Sequence, residues 1–406
     1  MKIMFLLTQD LSSPSGLGRY FPWAQELLRL GHEVQIVALH SDFANLPARK
    51  TVIEGLQVEY VAQMHVRKNN AGKTYFSPRQ LIGVALKGTI NLTLAALKTQ
   101  ADVVLIGKPH PMNTIAAWIR KFFHPHTMLI LDCDDLETGS NRFQTGWQKR
   151  IVAWFENLAP HKAQLVTSNT HYNLKRMESL GIHAEKLVYI PNGIDPQRFP
   201  IPDPVEVQEL RTFLSLAGRQ VIAFIGSMSL TNHPVDLLLR SFPMVQKAIP
   251  EATLLLVGTG EDLDVIKDLA REMNIERDTI FTGRVSPEQV ALYYAISDVT
   301  VDPVHDDEAA RGRCPLKMFE SWACGVPFVT ADVGDRKELA GNPPAAYLVE
   351  AGNVESLADG LLRLLQNPIL TEKIKQAASD RVKNYSWAKI VEKSHWIFSE
   401  STFVKP

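Results

Sequence analysis

Short runs of aliphatic and β-branched residues alternate with longer amphipathic segments along the whole chain of 406 residues. Because these runs are apolar without strict alternation, they are typical of strands buried on both faces of parallel sheets. The pattern therefore predicts an α/β protein in which helices cover the sheets. The predicted strands are Ile3–Leu7, Val34–Leu39, Val103–Ile106, Met128–Leu131, Leu165–Thr167, Val221–Ile225, Leu254–Val257, Thr279–Thr282, Val299–Val301 and Phe328–Thr330.

Helix boundaries are marked by glycine and proline. The segment Arg19–Leu30 places apolar residues on one stripe and precedes Gly31, and Pro315–Cys324 opens with proline and precedes Gly325. The segment Ser386–Glu400 has the apolar spacing of a final docked helix. The longest apolar stretch, Leu81–Leu97, is interrupted by polar residues, so we expect a helix packed on protein and not a membrane span.

The length of the chain predicts two domains, since single cores stop growing at about 250–300 residues. A proline-rich stretch, 191–204, has the composition of a linker near the middle. The first domain is therefore predicted to cover 1–195 and the second to cover 205–385.

The formal net charge of −1 argues against a nucleic-acid partner and favours small or neutral ones. A local basic stretch has two interpretations, contact with anionic lipid headgroups or a solvated face; it comprises Arg67, Lys68, Lys73, Arg79 and Lys87. The N-terminus enters a strand pattern at once and does not resemble a signal peptide, which predicts a cytoplasmic protein. The three cysteines form no CxxC pair, so neither a disulfide framework nor a zinc site is expected.

Candidate chemistry lies where predicted strands lead into helices, because ligands of parallel sheets bind outside the carboxyl ends of the strands. The first such loop contains Gly16 and Gly18. Small residues let backbone amides approach a phosphate or sugar closely. The alternative is a tight connection without a ligand.

A second candidate is the start of the helix predicted from Pro315, where the amides of Leu316, Lys317 and Met318 have no partner within the helix and point out of its start. Arg311, Arg313 and Lys317 crowd this helix start and predict an anion site. Lys317 and Glu320 share a helix face, so a cation for diphosphate and a carboxylate for ribose hydroxyls can reach one ligand. The alternative is a surface salt bridge between these two residues.

A third candidate is the acidic cluster after a buried strand, in which Asp134 and Asp135 are followed by Glu137. Such carboxylates bind sugar hydroxyls, act as a base or cap a helix. No histidine lies within the motif, and no metal is expected there. His110 follows another strand and is a candidate for the same site.

Three stretches resemble signatures of the retaining group 1 glycosyltransferases with the GT-B fold. They are KIMFLLTQDLSSPSGLGRYFPWAQELLRLGHEV, LVYIPNGIDPQRF and PLKMFESWACGVPFVTADVGDRKEL. The resemblance implies two Rossmann-like domains facing a central cleft, with a nucleotide-sugar donor bound mostly by the second and the acceptor mostly by the first. It also implies that the last helix, in about 386–406, packs back on the first domain.

The resemblance assigns roles by position. Glu320 would bind the donor ribose and Lys317 with neighbouring amides the diphosphate. The base would lie against Gly283, Arg284 and Val285, while Gly16 and Gly18 approach the donor or acceptor. The implied chemistry needs no metal or cofactor besides the donor substrate.

Two positions depart from the family pattern. Gly312 stands where the family usually has a second glutamate, and Ser227 replaces a usual arginine, with His233 near a usual lysine. Arg311 and Arg313 are candidates to supply the positive charge. The carboxylates that are candidates to reach the sugar are Asp306, Asp307 and Glu308.

The sequence thus predicts transfer of a sugar, with retained configuration, from a nucleotide-diphosphate sugar to a glycan, lipid-linked or small-molecule hydroxyl. Catalysis would rest on Lys317, Arg311, Asp134 and Asp135. Two alternatives are a nucleotide-sugar epimerase, which shares the fold, and a non-catalytic nucleotide-sugar-binding subunit, which the two departures prompt. For a lipid-linked acceptor, we expect the protein to contact the inner membrane surface peripherally.

Overall fold

The computed structural model describes residues 1–69 and 72–399. The side chains of Lys68 and Lys73 and the final residues 400–406 lie outside this description, so the interpretations that involve them stay predictions.

The chain divides into two compact units. Unit 1 contains Met1–Gly193, Gly312–Cys314 and the segment from Trp387 onward, and unit 2 contains Ile194–Arg311 and Pro315–Ser386. The segment Gly312–Cys314 was predicted to belong to the second domain and instead groups with unit 1. Its backbone carbonyls accept hydrogen bonds from two asparagine side chains of unit 1, Asn173 to Gly312 at 3.0 Å and Asn192 to Cys314 at 2.9 Å.

Unit 1 is built on an eight-stranded sheet in the order β10-β9-β8-β7-β1-β2-β4-β3. Its neighbours are parallel except β3 and β4, and a separate antiparallel hairpin pairs β5 with β6. The strands are β1 Lys2–Leu7, β2 Glu33–His40, β3 Lys50–Ile53, β4 Leu56–Gln63, β5 Val66–Asn69, β6 Gly72–Tyr75, β7 Val103–Gly107, β8 Met128–Cys133, β9 Leu165–Ser168 and β10 Leu187–Tyr189.

Helices cover both faces of this sheet. One core contains Trp23 of α1 and Trp387 of α16, and the other contains Leu92 of α2, Ala116 of α3 and Ala159 of α5. The helices are α1 Phe21–Arg29, α2 Pro78–Lys98, α3 Pro111–Phe123, α4 Glu137–Ser140, α5 Gly146–Lys162, α6 His171–Ser179 and, at the end of the chain, α16 Trp387–Ser394.

Unit 2 is built on a six-stranded parallel sheet in the order β13-β12-β11-β14-β15-β16. The strands are β11 Gln220–Ile225, β12 Ala252–Val257, β13 Thr279–Gly283, β14 Val299–Asp302, β15 Phe328–Ala331 and β16 Tyr347–Val349. The helices are α7 Pro204–Phe213, α8 Val235–Ala248, α9 Leu263–Glu272, α10 Val290–Ala295, α11 Glu308–Arg311, α12 Leu316–Ala323, α13 Arg336–Ala340, α14 Val354–Gln366 and α15 Pro368–Val382.

All ten predicted strands are present, which confirms the α/β class with parallel sheets. The helix predicted over Arg19–Leu30 begins later in the structure. Its first residues belong to a π-helical turn, Gly16–Tyr20, and α1 follows from Phe21. The helix predicted in 81–97 is present as α2 and packs on unit 1 through Leu92, Ala95 and Ala96. Among the described helices it is the one long and apolar enough to cross a membrane, and only 17% of its most apolar stretch is buried.

Candidate functional site

The strand order of the unit 2 sheet reverses between β11 and β14. Ligands of open parallel sheets bind outside the carboxyl ends of the strands at such a reversal. The residues at this point are Gly226, which follows β11, and Asp302, which ends β14. The polar cluster around Lys317, beside Gly226 and Asp302, therefore occupies the position at which a Rossmann-like sheet binds its ligand.

Lys317, in the first turn of α12, lies at the centre of this cluster. Its Nζ atom is 3.3 Å from Asp302 Oδ1, 3.3 Å from His233 Nδ1 and 5.1 Å from the centre of the Phe224 ring. A Cβ atom placed on Gly226 would lie 2.6 Å from Lys317 Cε, so glycine leaves the space in which the lysine lies. An ammonium held in this way carries three N–H donors and can bind phosphate oxygens.

Arg336 adds a second positive charge that the sequence analysis did not identify. Its buried guanidinium lies 3.4 Å from Asp302 Oδ2 and donates to the carbonyl of Ala310 at 3.0 Å. Asp302 thus stands between Lys317 and Arg336, so one carboxylate faces two cations. Two cations beside the strand reversal suit an anionic ligand.

Glu320 lies one turn after Lys317 on α12 and accepts a hydrogen bond from the Tyr294 hydroxyl at 2.9 Å. Burial raises the pKa of Glu320, while this hydrogen bond opposes the rise. A carboxylate has capacity for several hydrogen bonds, so Glu320 can still accept from vicinal hydroxyls such as those of ribose. The alternative, a surface salt bridge between Lys317 and Glu320, is wrong. Lys317 pairs with Asp302, and Glu320 accepts a hydrogen bond from Tyr294.

The start of α12 differs in detail from the prediction. Pro315 is the residue before the helix, and Leu316 is its first residue. The Met318 amide, which was expected to point out of the helix start, donates to the Pro315 carbonyl at 3.2 Å. The helix start therefore offers fewer amides than predicted.

The predicted group of three cations is also changed. The guanidinium of Arg311 forms a two-pronged ion pair with Asp306, at 2.7 and 2.9 Å, and its hydrogen bonds to the carboxylate lower the pKa of Asp306. Asp307 accepts from the Ala310 amide at 2.8 Å and so caps a short helix. Arg313 lies in the segment that groups with unit 1. Lys317 is thus the member of the predicted trio that lies in the cluster at β11 and β14.

The loops after β11, β12 and β13 approach one another closely. Gly258 donates to the carbonyl of Gly283 at 2.9 Å, and a Cβ atom on Gly258, whose φ is +132°, would lie 1.9 Å from the carbonyl oxygen of Gly226. Only glycine fits there. Ser227 follows Gly226 half-buried, and the predicted base-binding residues Arg284 and Val285 follow β13, exposed and half-buried respectively.

In unit 1, the predicted glycine loop is a helical turn instead. The Gly16 amide donates to Ser13 Oγ at 3.1 Å, and a Cβ atom on Gly16 would lie 2.4 Å from the Asp10 carbonyl oxygen. The Gly18 carbonyl accepts from Trp387 Nε1 at 3.0 Å. The physical reason for glycine at Gly16 is therefore close backbone packing within the protein.

The acidic motif and His110 meet at the carboxyl ends of β7 and β8. Lys108 Nζ lies 3.0 Å from an oxygen of each of Asp134, Asp135 and Glu137, and His110 Nε2 lies 3.0 Å from Glu137. Lys108 itself adopts a left-handed backbone with φ of +69°, an uncommon state for a lysine that is often found at functional sites. Lys108 was not predicted as a site residue, although it stands two residues before His110 in the sequence.

Burial and charge set the protonation of this group. Burial raises the pKa of Asp134 to about 7, against the attraction of Lys108. Burial acts the same way on Glu137, but Lys108 and His110 outweigh it and lower its pKa. Oxygens of Asp134, Asp135 and Glu137 lie close enough together to hold a cation, and the Lys108 ammonium contacts all three.

An open, mostly parallel sheet covered by helices in each unit, with cations and a helix start at the strand reversal of unit 2, defines a protein of two Rossmann-like units. Two family models specify this class further. "Glycosyl transferases group 1" matches residues 208–381, and "Glycosyltransferase Family 4" matches residues 21–198. The chain belongs to the group 1 glycosyltransferases with the GT-B fold.

Curated relatives are similar over part of their length. A GDP-mannose-dependent alpha-(1-6)-phosphatidylinositol monomannoside mannosyltransferase of Mycolicibacterium smegmatis is 25% identical over 228 residues, which are 56% of this chain and 58% of the relative. An alpha-galactosylglucosyldiacylglycerol synthase of Streptococcus pneumoniae is 28% identical over 250 residues, 60% of this chain and 62% of the relative. The chain thus matches little more than half the length of these relatives.

Solved structures are similar over nearly the whole chain. Sucrose-phosphate synthase of Thermosynechococcus elongatus has a TM-score of 0.76 at 16% identity and covers 98% of both chains. The HepE protein of Anabaena, in complex with UDP and glucose, has a TM-score of 0.74 at 19% identity, covering 98% of this chain and 99% of that one. These likenesses support the fold.

Proposed function

We propose that the protein transfers a sugar from a nucleoside-diphosphate sugar to an acceptor hydroxyl, with retention of configuration at the anomeric carbon. The observation that carries the proposal is the position of Lys317, held by Asp302 and His233 at the strand reversal of unit 2. The named transferase relatives support it.

The donor would lie along α12. Lys317, with the leading amides of the helix, binds the diphosphate, and Glu320, held by Tyr294, binds the ribose hydroxyls. The base lies against Gly283, Arg284 and Val285, beside Ser227. In this arrangement His233 orients Lys317 and touches the diphosphate.

The reaction breaks the bond between the anomeric carbon and the diphosphate oxygen and forms a bond from that carbon to the acceptor oxygen. The acceptor proton passes to the departing diphosphate. Negative charge grows on the diphosphate in the transition state, and Lys317 stabilises it by electrostatic attraction. The carboxylates Asp134 and Asp135 of unit 1 bind the acceptor hydroxyls.

The acceptor in this proposal is a glycan or a lipid-linked sugar, and the enzyme meets a lipid-linked acceptor at the inner membrane surface. The support comes from the two relatives, whose names specify phosphatidylinositol and diacylglycerol glycolipids as what those proteins act on or make. Neither a metal nor a cofactor is needed in the proposed chemistry, because Lys317 supplies the positive charge.

The test is a panel of nucleoside-diphosphate sugars, with nucleoside-diphosphate release followed with and without glycan and glycolipid acceptors. Release that depends on an acceptor is expected for at least one donor. Isomerisation of the donor without acceptor would instead indicate an epimerase, and binding without turnover under all pairings would indicate a non-catalytic subunit. Either of these results would contradict the proposal.

A further inference from the structure

Helix α2 of unit 1 exposes an apolar stripe. Ile82, Leu86, Ile90 and Leu94 recur every fourth residue and are each between 49% and 60% exposed. At 1.5 Å per residue the stripe is about 18 Å long. The opposite side of the helix, with Leu92, packs on the sheet. Exposed apolar surface of this extent marks an interaction site.

The neighbouring helices of the same layer continue this exposure. Helix α3 contacts both α2 and α5, and all three contribute to the core on one face of the sheet. Helix α3 ends in Phe122 and Phe123, and α5 exposes Trp147, Ile151 and Trp154. Tryptophan is enriched where a protein meets the boundary between water and lipid.

The three helices carry many more basic than acidic residues. Their sequences contain a single acidic residue, Glu156, which is buried. The basic residues at their surface are Arg79, Lys87, Lys98, Lys121, Lys149, Arg150 and Lys162. Since the whole chain has a formal net charge of −1, this layer concentrates positive charge beside its apolar side chains.

We propose that the layer formed by α2, α3 and α5, the lipid-facing layer, docks on a bilayer that contains anionic lipids. Helix α2 lies in the plane of the headgroups and does not cross the membrane, because Leu92 is in the core and Asn91 Nδ2 donates to the Val61 carbonyl at 2.9 Å. The apolar stripe enters the acyl boundary, and the basic residues contact phosphate headgroups. The assignment extends the proposed membrane contact and does not depend on the transfer reaction.

The experiment is vesicle co-sedimentation of the full chain without donor, with phosphatidylcholine vesicles and with mixed phosphatidylcholine and phosphatidylglycerol vesicles. The wild type is expected to sediment with the mixed vesicles, and added salt should weaken the binding. The double variants Leu86→Gln/Ile90→Gln and Lys149→Glu/Arg150→Glu should each bind the mixed vesicles at least about tenfold more weakly. These positions are exposed, so the variants should keep the wild-type melting temperature.

Matched controls come from unit 2, where Phe213→Gln removes an exposed apolar side chain and Lys337→Glu reverses an exposed charge. Both should bind vesicles as the wild type does. Equal binding by the wild type and the lipid-facing variants, or no binding of the wild type to mixed vesicles, overturns the proposal. So does a dimer in sedimentation velocity that Leu86→Gln/Ile90→Gln dissociates, because a second copy would then cover the stripe.

Discussion

Individual residues of the candidate site are held by partners from distant parts of the chain. Lys317 stands at a helix start, which the local sequence indicates, but its partners Asp302 and His233 come from β14 and from the loop after β11. The carboxylate of Glu320 is fixed by Tyr294 of α10. The types of side chain were therefore predictable, while their pairings depend on how the strands order in the sheet.

The hydrogen bond from Tyr294 to Glu320 leads to a prediction about donor affinity. Tyr294→Phe removes the donor that orients the carboxylate, so the KM for the nucleotide-sugar should rise roughly tenfold, as expected for a hydrogen bond to a charged group. The value of kcat should change little, because the ribose is remote from the reacting bond. Steady-state kinetics measures both, and Tyr293→Phe, in the neighbouring position, is the control. An unchanged KM for Tyr294→Phe would show that Glu320 does not bind the ribose.

The raised pKa of Asp134 predicts a particular dependence of stability on pH. Burial raises this pKa from 3.8 to about 7, so the folded state binds the proton more tightly than the unfolded state. The contribution of Asp134 to stability is therefore present below its unfolded pKa and is lost as pH rises through the folded value. Asp134→Asn removes this loss, and from about pH 4 to 7 its free energy of unfolding should gain roughly 1–3 kcal/mol relative to the wild type. Denaturant titration at both pH values measures the gain, and parallel pH profiles would contradict it.

At the scale of elements, the last helix, α16, packs into the core of unit 1 with Trp387, Ile390 and Val391. Trp387 is buried, stacks on Trp23 with ring centres 6.2 Å apart and donates to the Gly18 carbonyl. This placement agrees with the predicted docking of the segment from residue 386, apart from residues 400–406, which lie outside the described chain.

Trp387→Ala should therefore destabilise unit 1 by about 3–5 kcal/mol, the usual cost of removing a buried tryptophan. Thermal and denaturant unfolding measure the loss. Trp396→Ala is the matched control, since that side chain is 51% exposed, and it should cost under about 1 kcal/mol. Equal stability of the two variants would show that Trp387 does not anchor the helix.

Elements were predictable from the sequence where both faces of a strand are buried, as in β1 or β12, because a continuous apolar run is a local signal. Strand β4 was not predicted, because its burial alternates along the strand, and neither were the three-residue strands β10 and β16, whose runs are too short to show a pattern. The exposed face of α2 was also missed. Composition alone does not distinguish an apolar helix packed on all sides from one packed on one side.

At the scale of the whole molecule, each unit places its candidate chemistry at the carboxyl ends of its own parallel sheet. Unit 1 presents the Lys108 cluster with Asp134, and unit 2 presents the Lys317 cluster with Glu320. Both locations follow from the general rule for open parallel sheets, which is why sequence patterns could indicate them before any coordinates. The sequence could not indicate which charged side chains pair at each site, because Arg336 and Lys108 reach their partners through tertiary contacts.

In the proposed function, Lys317 binds the diphosphate of the donor. The most direct measurement is calorimetric titration of three proteins: the wild type, Lys317→Ala and the surface control Lys337→Ala. Each is titrated with a nucleoside diphosphate and with the matching nucleoside. Both ligands contain the nucleoside of the donor that the panel of nucleoside-diphosphate sugars identifies. The wild type and Lys337→Ala should bind the diphosphate much more tightly than the nucleoside. Lys317→Ala should bind the diphosphate about 10- to 100-fold more weakly, as expected for loss of a charged hydrogen bond, and the nucleoside equally well. Equal diphosphate affinity for Lys317→Ala and the wild type would contradict the account.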